Sequence, residues 1–188
     1  MSLRCRRILL EAAVGLVLWT AAGTPALAQS RNDSIAAATP LTNGTFNASI
    51  SPFGDPITVT DPDEDFYAVT VAASATLTVD VVGPGLNPPS PMDPVIEIVN
   101  NAGTRLTTCK DPGDDSPPGG SGITPDPTPN VFDDSCVNDD ISLGVNRNSH
   151  LDFRNTSGGT VTVFIRVLDW SGNARPDFRY QITISGAQ

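Results

Sequence analysis

After its first 28 residues the chain shows almost no helical periodicity; apolar and polar residues instead alternate with a period of two in one short run after another. That spacing puts every second side chain on the same face of a strand. Leu77, Val79 and Val81 alternate with Thr76, Thr78 and Asp80. Val161, Val163, Ile165 and Val167 alternate with Thr160, Thr162, Phe164 and Arg166, and Phe178, Tyr180, Ile182 and Ile184 with Arg179, Gln181, Thr183 and Ser185. Tyr67, Val69 and Val71 repeat the pattern. Residues 95–99 are almost continuously apolar, with Glu97 inside the run, which suits a central strand. Weaker runs lie at 45–50, 57–60, 104–108 and 151–154. Asn100-Asn101-Ala102-Gly103 and Ser157-Gly158-Gly159 are turn sequences between runs, and the Gly- and Pro-rich residues 83–94 cannot form a central strand. About eight short strands with one dry face each must bury those faces against one another. The expected fold is all-β, an antiparallel two-sheet β-sandwich of jelly-roll-like form.

Two segments break this rhythm. Residues 1–28 have the form of a signal peptide: Arg4, Arg6 and Arg7, then an apolar stretch, then Ala26-Leu27-Ala28 as a small-x-small cleavage signal before Gln29. The apolar stretch is short for a membrane span, which needs about 20 residues. No later segment is apolar enough to cross a bilayer. The expectation is export, to the periplasm or outside the cell, with a flexible lead-in over 29–43 and the sandwich over 44–188. The second break is residues 110–135, rich in Pro, Gly and Asp and nearly free of apolar groups. It is far longer than an ordinary connection. It reads either as a tolerated surface insertion or as a binding loop.

Charge and cysteines sharpen the picture. The whole chain carries a net charge of −10; without residues 1–28 it is −12, because three arginines and one glutamate leave. Such a surface repels nucleic acid and anionic membranes and attracts cations. Outside the signal segment two cysteines remain, Cys109 and Cys136, at the two ends of the insertion. An even count in an exported chain reads as a disulfide that staples the insertion at 109–136, with free thiols or an intermolecular bond as the alternatives.

The order of short motifs resembles the bacterial pre-peptidase C-terminal domain family. Asn32-Asp33 is followed by Asp65-Phe66-Tyr67, Thr76-Leu77-Thr78-Val79 and Asp93-Pro94-Val95-Ile96-Glu97-Ile98. Asn101-Ala102-Gly103-Thr104, Asn138-Asp139-Asp140 and the two C-terminal strands complete the series. The resemblance spans nearly all of residues 32–186. It implies a β-sandwich of the kind appended to secreted peptidases, with relatives that bind calcium or extracellular polymers such as collagen. Here no peptidase domain precedes it, and the insertion stands where the family has a short turn. The chain therefore reads as a free-standing module.

Candidate chemistry is sparse. Asp61, Asp63 and Asp65 stand at alternate positions, and such hard oxygen donors suit Ca²⁺. An EF-hand is excluded, because Phe66 and Ala72 occupy the positions of its Gly and its bidentate Glu. The plain alternative is a polar turn before a strand. Asp139-Asp140 match the Asp-Asp of the family pattern, and loops at one end of a sandwich can bring the two acidic groups together. His150 is the sole histidine, and no nucleophile, zinc or phosphate-loop motif accompanies it. Trp170, in the loop before the last strand, is a candidate ligand contact for a sugar or peptide, or else folds over the sandwich edge. The leading expectation is an exported, non-catalytic binding or structural module with calcium as its cofactor and an extracellular polymer or secreted protein as partner. The alternatives are an accessory domain to a separate secreted peptidase and a small secreted hydrolase built from loop carboxylates. A hydrolase needs a deep pocket with convergent carboxylates of perturbed pKa, whereas a module needs only a shallow face or a cation site.

Overall fold

The computed structural model describes residues 32–50, 64–112, 119–123, 132, 135–175 and 177–188. Residues 1–31, the weak run at 57–60, Asp61, Asp63 and most of the insertion lie outside the described residues. Among the described residues there are ten strands: β1 (Thr39–Leu41), β2 (Gly44–Ser49), β3 (Glu64–Val71), β4 (Thr76–Val82), β5 (Pro94–Val99), β6 (Cys109–Lys110), β7 (Val137–Asn138), β8 (Ser149–Arg154), β9 (Val161–Asp169) and β10 (Arg179–Ser185). They form two five-stranded sheets, one in the order β1-β3-β9-β5-β7 and the other β2-β10-β4-β8-β6. Every pairing is antiparallel except the short parallel contact of β1 with β3. The protein is an all-β sandwich.

The alternation in the sequence decides what each strand buries. Leu77, Val79 and Val81 of β4, Leu151 and Phe153 of β8 and Tyr180, Ile182 and Ile184 of β10 line one inner face. Tyr67, Val69 and Val71 of β3, Ile96 and Ile98 of β5 and Val163, Ile165 and Val167 of β9 line the other. Each such aliphatic side chain, fully withdrawn from water, contributes roughly 1.5–3 kcal/mol. All six residues of β5 are buried, as its continuous apolar run requires.

Three local features depart from the alternation. Residues 32–43 are built into the sandwich rather than forming a loose lead-in. Asn32 is buried, its backbone carbonyl accepts from Phe66 N at 2.7 Å, and its side-chain amide donates to Phe66 O at 3.1 Å. β1 then pairs along β3. Residues 104–108 do not form a strand. After one bridge between Val99 and Arg105, the chain leaves β5 and crosses to β6 on the opposite sheet. Finally, β6 and β7 are only two residues long and lie at the same edge of the two sheets. The Cys109–Cys136 disulfide spans that edge, with a Cα–Cα distance of 4.9 Å.

Polar groups are embedded on both sides of the β3-containing sheet. On its inner face Tyr180 donates to Asp65, and the Tyr67 and Tyr180 hydroxyls are hydrogen-bonded to each other. Burial and the Asp65 carboxylate push both phenols well up, so both stay protonated. On the outer face Arg166 bridges Glu64 and Glu97, and Arg105 binds Glu97 from the other side. Nearby, Ile123 of the insertion packs with Val95, Val137 and Leu168, a second small apolar cluster. The described part of the insertion docks on the sandwich through Ile123, through Ser121 N donating to Trp170 O at 3.0 Å, and through Phe132, whose ring lies 3.8 Å from the Arg154 guanidinium.

Candidate cation site and adjoining cavity

Pairing register builds the site. β7 pairs antiparallel with β5, Asn138 opposite Ile96 and Val137 opposite Glu97. Extending the register brings Asp139 and Asp140 back alongside Val95 and Pro94, next to Asp93. One carboxylate oxygen from each of Asp93, Asp139 and Asp140 lies within 4.8 Å of the other two. Asp139 and Asp140 are buried, and Asp93 is half-buried. The backbone around them is tied down from several directions. Ser149 Oγ lies against the carbonyls of Pro94 and Asp139, and Asn138 Oδ1 accepts from His150 N at 2.9 Å. Gly144 N donates to Asp140 Oδ2 at 3.2 Å, which ties the 142–146 turn to the cluster.

Asp169 closes the opposite side. Its Oδ1 accepts from Asp93 N at 2.9 Å and its Oδ2 from Ser171 N at 3.1 Å, while Trp170 N donates to Asp93 O at 2.7 Å. Burial pushes the Asp93 carboxyl up to about 6, reinforced by Asp140 and Asp169 and opposed by Arg147, whose guanidinium stands 3.5 Å from Asp93 Oδ2. Burial raises Asp169 as well, opposed by its backbone N–H donors. Asp93 Oδ1 is buried and accepts no hydrogen bond from the described residues.

These donors fit a hard cation. They are oxygens only, the preference of Ca²⁺ and Mg²⁺ rather than of softer metals. Calcium–oxygen distances of about 2.3–2.6 Å place opposed ligands roughly 4.6–5.2 Å apart, matching the span of this group. Like charges gathered in a buried place repel and are costly unless a counter-charge joins them.

Of the acidic residues expected to group, Asp61 and Asp63 lie outside the described residues. Asp139 and Asp140 come together, but with Asp93 in place of Asp65. β3 begins at Glu64, so Asp65 falls on the inward phase with Tyr67 and Val69 and is held by Tyr180. Along the row Asp65–Val167–Ile96–Asn138 it stands three strand spacings from β7, about 14 Å. Asp93 carried one legible signal, the Asp-Pro that opens a buried strand. Its neighbours depend on a pairing that no local pattern reveals.

Beside the cluster is a cavity of about 350 Å³. Asp93, Asp140, Asp169 and Arg147 form its polar side, and Trp170 and Phe178 contribute apolar walls. A second cavity, of about 320 Å³, carries no ionisable residue and lies by the start of β9, at the other end of the sandwich. Trp170 packs on Val95, Ile123, Val137 and Leu168, so it does fold over the sheet. Gly119 of the insertion presses against its indole, where an added Cβ would sit only 2.5 Å from the ring. Arg175 and Asp177 pair at 2.6 Å in the same loop.

His150 lies elsewhere. On β8 it faces outward while Ser149 faces inward, so the two cannot act on one substrate atom. Its Nδ1 bonds Asp80 at 2.7 Å and its Nε2 stands 3.8 Å from Asp152. The Asp80 hydrogen bond raises its pKa above the usual 6.5, partly offset by burial. This pair's stabilisation is fully present below about pH 6.5 and lost as the pH rises through the raised value. We expect His150→Gln to remove that pH dependence while costing less than about 1 kcal/mol at pH 6, read by urea denaturation at pH 6 and pH 8.5. A slope unchanged in His150→Gln would assign the dependence to another group.

No protein-family model matches the chain, and no curated protein matches it. Fold and site define the class: an all-β sandwich with a carboxylate cluster and a cavity at one end.

Proposed function

We propose that this is an exported, non-catalytic binding module whose cavity-end loops are held together by a calcium ion. The carrying observation is the convergence of Asp93, Asp139 and Asp140 from two separate segments, with one buried Asp93 oxygen accepting no hydrogen bond from the described residues. The signal-like N-terminus and the disulfide support export, and the net charge of −10 favours cation uptake. The motif resemblance to pre-peptidase C-terminal domains supports calcium and an extracellular polymer or secreted protein as partner. Calorimetric titration of the chelator-treated protein tests the reading. One calcium per chain is expected, magnesium binds far more weakly, and Asp93→Asn and Asp139→Asn each lower the affinity about tenfold or more, the loss of one charged ligand. No heat of calcium binding by the native chain would end the proposal.

A hydrolase reading uses the same cavity, since Asp93, raised to about 6, suits a general acid. Its cavity partners are engaged: Asp140 accepts from Gly144 N at 3.2 Å and belongs to the cluster that the cation reading fills. Asp169 has both oxygens committed to backbone N–H donors, and Glu64 and Glu97 are bound to Arg166 on the outer sheet face. The binding module is the better account.

A further inference from the structure

We infer that the cavity beside the carboxylate cluster binds a neutral pyranose sugar, with vicinal hydroxyls toward the carboxylate side and a C–H face on Trp170. The inference rests on the cation reading above and names the ligand class of the same end of the molecule.

Size comes first. About 350 Å³ falls at the small end of the range for small-molecule sites, about 300–1,000 Å³, and suits one or two sugar rings. The walls divide by chemistry as a pyranose does. Trp170, Phe178 and Leu143 offer apolar surface, while Asp93, Asp140 and Asp169 are acceptors, and Asn173 both donates and accepts. An acceptor-rich wall suits a ligand that brings many O–H donors. A peptide, with as many carbonyls as N–H groups, would bury acceptors against acceptors. Charge then selects among sugars. With Asp139 of the cluster included, four carboxylates stand against one guanidinium and, on the cation reading, a divalent ion, so the loaded site keeps about one negative charge. A uronate or sugar phosphate gains nothing there, and the surplus negative charge of the chain opposes its approach. The aromatic wall is also preorganised. Trp170 packs on Val95, Ile123, Val137 and Leu168, and Gly119 lies against its ring, so little side-chain entropy is lost on binding.

The chain offers its own reporter. It has two tryptophans, Trp19 and Trp170, so Trp19→Phe in the full chain leaves Trp170 as the only one. The probes are the methyl glycosides of glucose, galactose, mannose and N-acetylglucosamine, with methyl glucuronate as the charged comparison and ethylene glycol as the solvent control. In calcium, at least one neutral glycoside is expected to give a saturable change in Trp170 emission, with glucuronate weaker and ethylene glycol linear. Asn173→Ala should weaken the sugar about tenfold, the loss of one buried hydrogen-bonding group, and leave calcium affinity unchanged. No saturable change with any of the four, in protein that still takes up calcium, overturns the sugar site and leaves the cation reading standing. Saturable sugar binding in protein that takes up no calcium does the reverse.

Discussion

Reduction of Cys109–Cys136 is expected to lower the unfolding free energy by about 3–4 kcal/mol, the chain-entropy value for a loop of this length. The bond joins residues separated by 27 positions. For a domain of this size the loss corresponds to a fall in melting temperature of roughly 10 °C. Placement makes the effect more than entropic bookkeeping. β6 and β7 have two residues each, too few to hold the open edge of either sheet alone, and the bond ties one to the other. β7 also delivers Asp139 and Asp140 to the site. Cys109→Ser/Cys136→Ser should therefore lose calcium affinity as well as stability. Urea denaturation of the oxidised protein, the reduced protein and the double variant reads the first effect, and calcium titration under native conditions reads the second. Two alkylatable thiols in the unreduced exported protein would show that the bond is absent. A double variant as stable as the oxidised protein would show that it does not matter.

Calcium is expected to raise the melting temperature by about 5–10 °C once it reaches a hundredfold excess over its dissociation constant, which is worth about 2.7 kcal/mol for a ligand of the native state alone. Sodium chloride at matched ionic strength separates this from general screening of the negative surface, and magnesium separates it from any divalent ion. An equal shift with all three would mean no specific site. The pH dependence supplies a second signature. Asp93 is raised from 3.8 to about 6 in the fold, so without calcium its ionised form costs stability above about pH 6, and that cost disappears as the pH falls toward 3.8. The calcium-free protein should accordingly melt higher at pH 5 than at pH 7. With calcium the order reverses, because protons compete for the same oxygens. Asp93→Asn should flatten the first trend and shrink the calcium shift. The His150–Asp80 pair starts to lose stabilisation above pH 6.5 and adds to the same trend at pH 7, so the comparison is made in the His150→Gln background.

The sequence by itself determined the fold class. Period-two alternation in β4, β9 and β10 is a property of single strands, and a strand with one dry face has to pair that face with another. It also placed the insertion and the two cysteines at its ends, because composition and parity are local facts. Everything about the site that depends on which strand lies beside which was decided by the tertiary structure. Asp139 and Asp140 were visible as an acidic pair, but their partner is Asp93, more than forty positions away, joined through the short β5–β7 pairing. Asp65 looked equivalent to its acidic neighbours until the start of β3 set its phase. One residue of phase turns a side chain from the surface to the core, and there it meets Tyr180 from the facing sheet. For Trp170 the sequence offered both an exposed contact and a fold over the sandwich edge, because its cover, Ile123 and Gly119, comes from the apolar-poor insertion. Local pattern specifies faces; the assembly of faces from distant segments, which burial and pairing settle together, specifies the site.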